Sequence, residues 1–206
     1  GIVERLGFAT LPKDGADRAM LLVESWRRAF ADRFLLGDPS TTKADARQLL
    51  DAAWLDRRAR EIDLAHASRS TDVKPWSGGT AEKPQTTHLS VVDARGDAVA
   101  MTVTLNGSFG SGLLVPETGI LLNNEMDDFA AAAGKPNLYG LVQGPANAIA
   151  PGKRMLSSMS PTIAWKDGDL VVLGSPGGSR IPTSTAQVLL RVVVDGEPLA
   201  VRLDRA

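Results

Sequence analysis

Two adjacent threonines, Thr86 and Thr87, open the segment TTHLSVVD, where a polar stretch gives way to an alternating strand pattern. Threonine is common at the start of a strand because its branched side chain suits the extended backbone. The position also allows a second interpretation. If the backbone were cut next to one of them, its new α-amino group, with a reference pKa of about 8, could take the proton of its own hydroxyl. The pair therefore predicts either an ordinary strand start or a nucleophile.

The composition excludes cysteine chemistry and leaves little histidine. The 206 residues include no cysteine and only two histidines, His66 and His88. Without cysteine there is no disulfide, thiolate metal site or cysteine nucleophile, and two histidines cannot form a three-histidine zinc site. A Ser–His–Asp relay would need one of the two, and we expect His88 to be structural. A threonine that uses its own amino group needs no histidine, so the composition favours the nucleophile interpretation.

Three other segments could complete an acyl-transfer site, although each also has an ordinary interpretation. The PGG sequence at 176–178 leads toward a predicted helix, where backbone N–H groups favour negative charge, or it is only a turn. The SSMSP sequence at 157–161 could offer hydroxyl donors to a carboxylate, or form a capping turn. The NNEMDDF sequence at 123–129 could hold an ammonium group, or be a solvated acidic turn. Taken together, the segments predict a pocket for a zwitterionic amino-acid head beside an amino-terminal hydroxyl.

Charge and hydropathy argue against several other classes of protein. The chain has 23 basic and 24 acidic residues, well mixed, for a formal net charge of −1. It shows no basic stripe for a nucleic acid, and no apolar run near the roughly 20 residues of a membrane span. Its first residues lack the basic start and apolar core of a signal peptide. No glycine-rich segment matches a phosphate loop or a Gly-x-Ser-x-Gly nucleophile elbow. These features predict one globular domain or slightly more, with neither a nucleic-acid partner nor a membrane span.

Periodicity predicts two amphipathic helices before the threonines. The first covers 15–36, and its stripe at helical spacing comprises Met20, Val23, Arg27, Phe30 and Phe34. The second covers 41–62, with Thr42 and Asp45 as a capping box and a buried stripe formed by Leu49, Ala53 and Trp54. Residues 67–85 are then poor in large apolar side chains and rich in Ser, Thr, Gly and Pro. Such a composition predicts an exposed segment where a backbone can be cut.

Two hairpins are predicted after the threonines. The first turns near Arg95 and Gly96, which brings Thr86 to within about one residue of Thr104 across the strand pair, so that their hydroxyls can meet. The second turns at Asp167–Gly168 and leads to a helix that Pro182 opens and Gly196 follows. Between the hairpins, residues 131–153 are rich in Gly, Pro and Ala. With little to hold it down, this loop is predicted to act as a lid.

Five segments resemble the small-subunit core of the γ-glutamyltransferases, also called γ-glutamyltranspeptidases or glutathione hydrolases. In order they are TTHLSVVDARGDAVAMTVTLN, GILLNNEMDDFA, KPNLYGLV, NAIAPGKRMLSSMSPTI and GSPGGSRI. Residues 15–85 also resemble the end of the large subunit. The resemblance implies an α+β fold, the αββα sandwich of N-terminal-nucleophile hydrolases, incomplete at both ends. It divides the chain into a helical end of the large-subunit part at 1–66, a flexible linker at 67–85 and a truncated small-subunit catalytic core at 86–206.

The same resemblance implies a reaction and assigns residues to it. Self-cleavage between Gln85 and Thr86 would free Thr86, whose Oγ attacks the γ-glutamyl carbonyl of glutathione or a related amide. Water, or the amine of an amino acid or dipeptide, then takes the acyl group. The matched positions are Thr104 supporting the nucleophile, Gly177 and Gly178 in the oxyanion hole, Asn106, Glu125 and Asp128 for the substrate α-amino group, Ser157 and Ser158 for its α-carboxylate, and Tyr139 on a lid. The family uses no metal or cofactor, its two processed subunits pair with each other, and bacterial members are periplasmic or extracellular.

Departures from the family pattern keep two alternatives open. The family arginine that clamps the α-carboxylate, and its C-terminal strands, have no counterpart in this sequence, so an inactive, unprocessed fragment is one alternative. A bidentate arginine–carboxylate bond is roughly twice as strong as a neutral one, so two serines alone would bind the carboxylate weakly. The other alternative is a cephalosporin acylase of the same superfamily, whose glutaryl substrate has no α-amino group. Retention of Asn106, Glu125 and Asp128 favours the amino-bearing substrate.

Overall fold

The computed structural model describes residues 1–69, 72–73, 86–130, 132, 134–137 and 140–198. The chain divides into two compact units. The helical unit comprises Gly1–Thr80 and Asp128–Leu156, and the strand unit comprises Ala81–Asp127 and Ser157–Ala206. Helices and small sheets together make this an α+β chain, as predicted. Most of the predicted linker at 67–85, Gln85 included, lies outside the described residues.

The helical unit is built from three α-helices and three short 3₁₀ helices within its described residues. The α-helices are α1 (Ile2–Arg5), α2 (Ala16–Arg33) and α3 (Ala52–Arg60), and the 3₁₀ helices are Phe8–Thr10, Gln48–Leu50 and Pro145–Asn147. Helix α1 packs against both longer helices, and α2 also contacts α3. The most buried apolar side chains of this unit are Ile2, Phe8, Leu21, Ala31, Ala59 and Phe129.

Helix α2 confirms the helix predicted over 15–36, but it buries a different face. Val23, a member of the predicted stripe, is 42% exposed. Polar side chains of α2 are buried with partners instead: Arg28 Nη1 donates to Glu24 Oε2 at 2.7 Å, and the Arg18 guanidinium lies 3.9 Å from the centre of the Phe8 ring. The buried residues are Arg18, Leu21, Glu24, Ser25, Arg28, Ala31 and Asp32. The predicted stripe is wrong because apolar periodicity does not reveal polar residues that pair inside the unit.

The second predicted helix begins later than expected. Its cap is the Asp51 carboxylate, which accepts a hydrogen bond from the Ala53 N–H at 2.9 Å and so satisfies a free donor of the first turn of α3. The capping box predicted from Thr42 and Asp45 is therefore wrong. The Thr42 N–H donates to the Asp38 carbonyl at 2.9 Å, within a turn that precedes the helix. Ala53, predicted to be buried, is exposed.

The loop predicted over 131–153 is firmly packed where the structure describes it. Gln143 is 6% exposed and Asn147 is fully buried. Gly144 lies against the end of α2, where a Cβ atom would stand 2.0 Å from the Phe34 carbonyl oxygen, so only glycine allows this approach. The prediction that little holds the loop down is wrong for these residues. Arg33, at the end of α2, donates to Gln143 Oε1 at 3.4 Å, and the Asn147 amide bonds main-chain groups on either side of it along the chain.

Asp38, which follows α2, is hydrogen-bonded to Arg154 just beyond the end of this loop. Its side chain is buried and accepts hydrogen bonds from the Arg154 N–H at 2.7 Å, the Ser40 N–H at 2.9 Å and the Ser40 hydroxyl at 2.8 Å. These donors, the Arg154 N–H foremost, hold the pKa of Asp38 well below its usual value. Because the carboxyl ionises more readily in the folded state, its charge stabilises the fold above the unfolded pKa of about 4. That stabilisation is lost as the pH falls below this value.

We expect Asp38→Asn to remove this pH dependence. The variant should be less stable than the wild type at pH 7, and the difference should shrink as the pH falls below about 4, because only the wild type loses an anion there. Urea unfolding of both proteins across this range measures the difference, with Asp14→Asn at an exposed turn as a control for the change of charge. A stability difference that stays constant with pH would show that the Asp38 charge is not involved.

The strand unit contains three two-stranded antiparallel sheets and one α-helix within its described residues. The strands are β1 (Thr86–Val92), β2 (Ala98–Thr104), β3 (Leu114–Val115), β4 (Ile120–Leu121), β5 (Thr162–Lys166) and β6 (Asp169–Leu173), and the helix is α4 (Ile181–Val193). They pair as β1–β2, β3–β4 and β5–β6. Strand β1 lies beside β6, and β2 lies beside β5 and β6. No helix in the described ranges is long and apolar enough to cross a membrane.

Both predicted hairpins are confirmed. In the first, β1 pairs with β2 around a turn in which Gly96 has a φ of 87°. In the second, Asp167 and Gly168 both have positive φ, at 52° and 89°, which suits the right-handed twist of a two-residue hairpin loop. The helix after it is also confirmed, with Pro182 in its first turn and Gly196 just beyond its end. The turn residues were therefore sufficient to locate these strands.

Candidate active site

Thr86 and Thr104 face each other across the first hairpin. They are direct partners in the register of β1 and β2, and the Thr86 hydroxyl donates to Thr104 Oγ1 at 3.3 Å. Both side chains are half-buried. Opposite residues of an antiparallel pair lie on the same face, so the hairpin itself brings the two hydroxyls together. The predicted proximity of these threonines is confirmed.

Asn106 fixes the orientation of Thr104. Its backbone N–H donates to Thr104 Oγ1 at 2.9 Å, and its side chain is only 3% exposed. Asn106 has a φ of 72°, in the left-handed region that asparagine enters more easily than most residues. This conformation ends the strand directly after the N–H that bonds Thr104.

Asn106 is also bonded to the acidic segment. Its Nδ2 donates to the Asn124 carbonyl at 3.2 Å. The next residue, Glu125, is half-buried, and its N–H donates to Asn123 Oδ1 at 3.0 Å as the 3₁₀ helix Glu125–Asp128 begins. The strand unit thus brings Thr86, Thr104, Asn106 and the start of the acidic turn into one hydrogen-bonded neighbourhood.

Asp128 belongs to the helical unit, where a buried amide holds its backbone. Asn147 Nδ2 donates to the Asp128 carbonyl at 2.7 Å, and Asn147 Oδ1 accepts from the Leu156 N–H at 3.0 Å. The Asp128 carboxylate also acts on Arg33: burial lowers the pKa of that guanidinium, and the nearby negative charge of Asp128 opposes the shift. The main chain of Asp128 is therefore anchored within its own unit.

The two serines precede β5. Ser157 is exposed, and its Oγ accepts from the Met159 N–H at 3.1 Å. The Ser158 carbonyl accepts from the Ser160 hydroxyl at 3.0 Å. These bonds match the ordinary turn interpretation of the SSMSP sequence. A hydroxyl that accepts one bond still has its own proton to donate, so the Ser157 side chain can serve a carboxylate as well.

Gly177 caps, and Gly178 begins, a 3₁₀ helix (Gly178–Arg180) that leads directly into α4. Their φ values are 137° and 57°, and the Arg180 N–H donates to the Gly177 carbonyl at 3.1 Å. The chain reaches them from β6, where a Cβ on Gly174 would lie 2.3 Å from the His88 ring of β1. The glycine pair therefore follows a strand end packed against β1, at a helix N-terminus whose N–H groups suit a developing negative charge.

His88 is held by hydroxyl groups of the same hairpin. Its Nδ1 lies 2.8 Å from Thr102 Oγ1, and its Nε2 lies 3.0 Å from Ser90 Oγ. With both ring nitrogens occupied and Gly174 against the ring, the side chain has the contacts expected of a structural residue. Two other predicted residues, Gln85 and Tyr139, lie outside the described residues.

Sequence reasoning missed two asparagines that support these residues, Asn124 and Asn147. Each uses its side-chain amide to hold the backbone of another segment. The available signals were weak: Asn124 stands within the acidic segment, and Asn147 is a polar residue in a run of small apolar ones. An amide performs no acid–base or nucleophilic chemistry, so neither residue was assigned a role of its own.

Comparison with known proteins gives a consistent match. The Gamma-glutamyltranspeptidase family model matches residues 1–206. The glutathione hydrolase proenzyme of Escherichia coli (strain K12) is 49% identical over 193 residues, covering 93% of this chain and 32% of that protein. The chain thus spans about a third of the length of this curated relative.

Solved structures agree on the fold. The gamma-glutamyltranspeptidase from Pseudomonas nitroreducens complexed with L-DON is 57% identical with a TM-score of 0.52, over 55% of this chain and 59% of that one. A cephalosporin acylase from Bacillus halodurans has a TM-score of 0.69 over 95% of this chain and 34% of that one, at 24% identity. The latter likeness concerns the fold alone.

Proposed function

Because the chain belongs to the γ-glutamyltranspeptidase family, we propose that its protein is a γ-glutamyl hydrolase and transferase acting on glutathione and other γ-glutamyl amides. The reaction proceeds through a γ-glutamyl-threonine acyl-enzyme on Thr86. The observation that carries the proposal is the Thr86 hydroxyl 3.3 Å from that of Thr104, which the Asn106 N–H in turn orients.

Maturation in this proposal is a cut between Gln85 and Thr86. It separates the helical end of a large subunit (1–66) with its linker (67–85) from a small-subunit core (86–206), and the two subunits stay paired. The cut turns the backbone N of Thr86 into an amine, and this amine is a general base that requires no histidine.

In this proposal the acyl transfer needs only the groups of Thr86 and of the residues around it. The Thr86 amine takes the hydroxyl proton while Oγ attacks the γ-carbonyl carbon, and the N–H groups of Gly177 and Gly178 receive the oxyanion. The intermediate collapses as the C–N bond breaks, and the Thr86 ammonium gives its extra proton to the leaving amine. Water or an acceptor amine repeats these steps in reverse order and releases the γ-glutamyl group from Thr86. Neither a metal nor a cofactor takes part.

The amino-acid head of the substrate sets the specificity in this proposal. Asn106, Glu125 and Asp128 bind its α-ammonium, and the hydroxyls of Ser157 and Ser158 donate to its α-carboxylate. Tyr139 belongs to a lid over the bound substrate. We place the working enzyme in the periplasm or outside the cell, by analogy with bacterial members of the family.

Two substrates with the same leaving group test the proposal. A γ-glutamyl anilide should exceed the matching glutaryl anilide in kcat/KM by about 100-fold, because losing charge-assisted hydrogen bonds to an ammonium costs about 1.5–3 kcal/mol. Asp128→Asn should reduce this preference, whereas the same change at the neighbouring Asp127 should leave it intact. Equal turnover, or a preference for glutaryl, would instead favour an acylase. The assay uses the protein expressed from its complete gene.

A further inference from the structure

Asn124 makes hydrogen bonds to three consecutive residues at the end of β2. Its N–H donates to the Leu105 carbonyl at 3.1 Å, its carbonyl accepts from Asn106 Nδ2 at 3.2 Å, and its Oδ1 accepts from the Gly107 N–H at 2.8 Å. The side chain packs closely at this point, since a Cβ on Gly107 would lie 3.3 Å from Asn124 Oδ1. The turn at 105–107 is therefore clamped from both sides of Asn106.

The clamped turn has a conformation that needs support. Asn106 has a φ of 72°, which a non-glycine residue adopts at a cost, so an unsupported chain would spend much of its time in an extended form. The Asn106 N–H donates to Thr104 Oγ1 at 2.9 Å. This N–H lies in the same peptide plane as the Leu105 carbonyl, which accepts from the Asn124 N–H, so contacts that keep Asn124 against the turn also hold this plane. Fixing the turn at 105–107 therefore also fixes the hydrogen bond from the Asn106 N–H to Thr104 Oγ1.

The bond to Thr104 decides how that hydroxyl can serve Thr86. A threonine hydroxyl has two acceptor lone pairs and one proton. The Asn106 N–H occupies one lone pair of Thr104 Oγ1, and the Thr86 hydroxyl donates toward the other. Once Thr86 has given up its proton, the Thr104 hydroxyl can rotate and donate to the charged Thr86 Oγ. Fixing the N–H of Asn106 keeps Thr104 in position for both states.

We propose that Asn124 is a positioning residue for the Thr86–Thr104 hydroxyl pair, and that it acts through the bond from the Gly107 N–H to its amide oxygen. The inference rests on the proposed function, because it assigns Thr86 as nucleophile. Asn124 touches neither hydroxyl and does not meet the substrate in this account. It sets the rate of both reactions that use Thr86, the self-cleavage and the acylation.

Three variants of the complete protein test this role. Asn124→Ala removes the amide oxygen, Asn124→Asp retains an acceptor at the same place, and Ser108→Ala is the control at an exposed neighbour of the same turn. We expect Asn124→Ala to slow self-cleavage about 10-fold and to lower kcat by a similar factor, the effect of one lost hydrogen bond. KM should change little. Asn124→Asp should recover most of the loss, and Ser108→Ala should match the wild type.

The readout is kcat per active site, with the sites counted from the burst of anilide released by a slowly deacylated γ-glutamyl substrate. A merely structural residue would lower the number of sites but leave kcat per site unchanged. That outcome for Asn124→Ala overturns the inference, as does an Asn124→Asp variant no better than the alanine variant. If the wild type itself releases no γ-glutamyl anilide, the proposed function fails; if the wild type is active and Asn124→Ala equals it, only the role of Asn124 fails.

Discussion

Replacing Thr86 with alanine is expected to leave the chain uncut before residue 86 and to abolish γ-glutamyl transfer. The alanine has no oxygen to attack either the preceding peptide bond or the substrate, so both reactions lose their nucleophile. Loss of a nucleophile of this kind lowers kcat on the order of 10⁴- to 10⁶-fold. Gel electrophoresis reports the cut, and anilide release reports the turnover.

Two further variants make the Thr86 result specific. Thr86→Ser keeps a hydroxyl and should be cut and active, although more slowly. Thr87→Ala changes the adjacent exposed threonine, which pairs with Val103 across the hairpin, and should behave as the wild type. If Thr86→Ala is still cut and still releases anilide, the nucleophile has been assigned to the wrong residue.

Gly177→Ala is expected to lower kcat by about 10²- to 10³-fold, the effect of losing one oxyanion donor. The reason is conformational and not steric. A Cβ at this position would meet no atom closer than 3.9 Å, but the φ of 137° is one that side chains rarely adopt. Alanine would therefore rotate the peptide and turn its N–H groups away from the oxyanion.

Gly112→Ala is the matched control for strain. Gly112 lies in the same unit, has a φ of 72° and has no atom within 4 Å of a Cβ. Both variants should lose stability by about 1–3 kcal/mol, but only Gly177→Ala should lose kcat per active site. Equal kcat per active site in the two variants would contradict the assignment of Gly177 to the oxyanion hole.

The first hairpin shows what could be predicted from sequence. The alternating pattern on each side of a glycine turn indicates two paired strands, and counting residues back from Gly96 places Thr86 within about one residue of Thr104; the structure pairs the two directly. Such a prediction works because the turn and both strands are local in sequence. The family resemblance added the roles of residues that no periodicity could supply.

The helical unit shows what could not be predicted. The face that α2 buries depends on partners such as Ser68, whose N–H donates to Glu24 Oε1 at 3.2 Å. The packing of the loop near Arg154 depends on Asp38, which lies 116 residues earlier. Contacts of this range leave no local pattern, so an apolar stripe and a loose loop were the natural but incorrect predictions.

The candidate site divides in the same way. Its residues with reactive or charged groups were recognisable, whereas Asn124 contacts the site only through hydrogen bonds to the turn at 105–107. The left-handed conformation of Asn106 that ends the strand cannot be anticipated from the letters LNG alone.

One measurement tests the central claim most directly: identification of the acylated residue in the wild-type protein. The enzyme is quenched in acid during turnover of a slowly deacylated γ-glutamyl substrate, digested and mapped by mass spectrometry. We predict a peptide that starts at Thr86 and carries the γ-glutamyl group on the oxygen of that threonine. Detection of Thr86 still joined to Gln85 in protein that turns over normally, or of the acyl group on any other residue, would contradict the account.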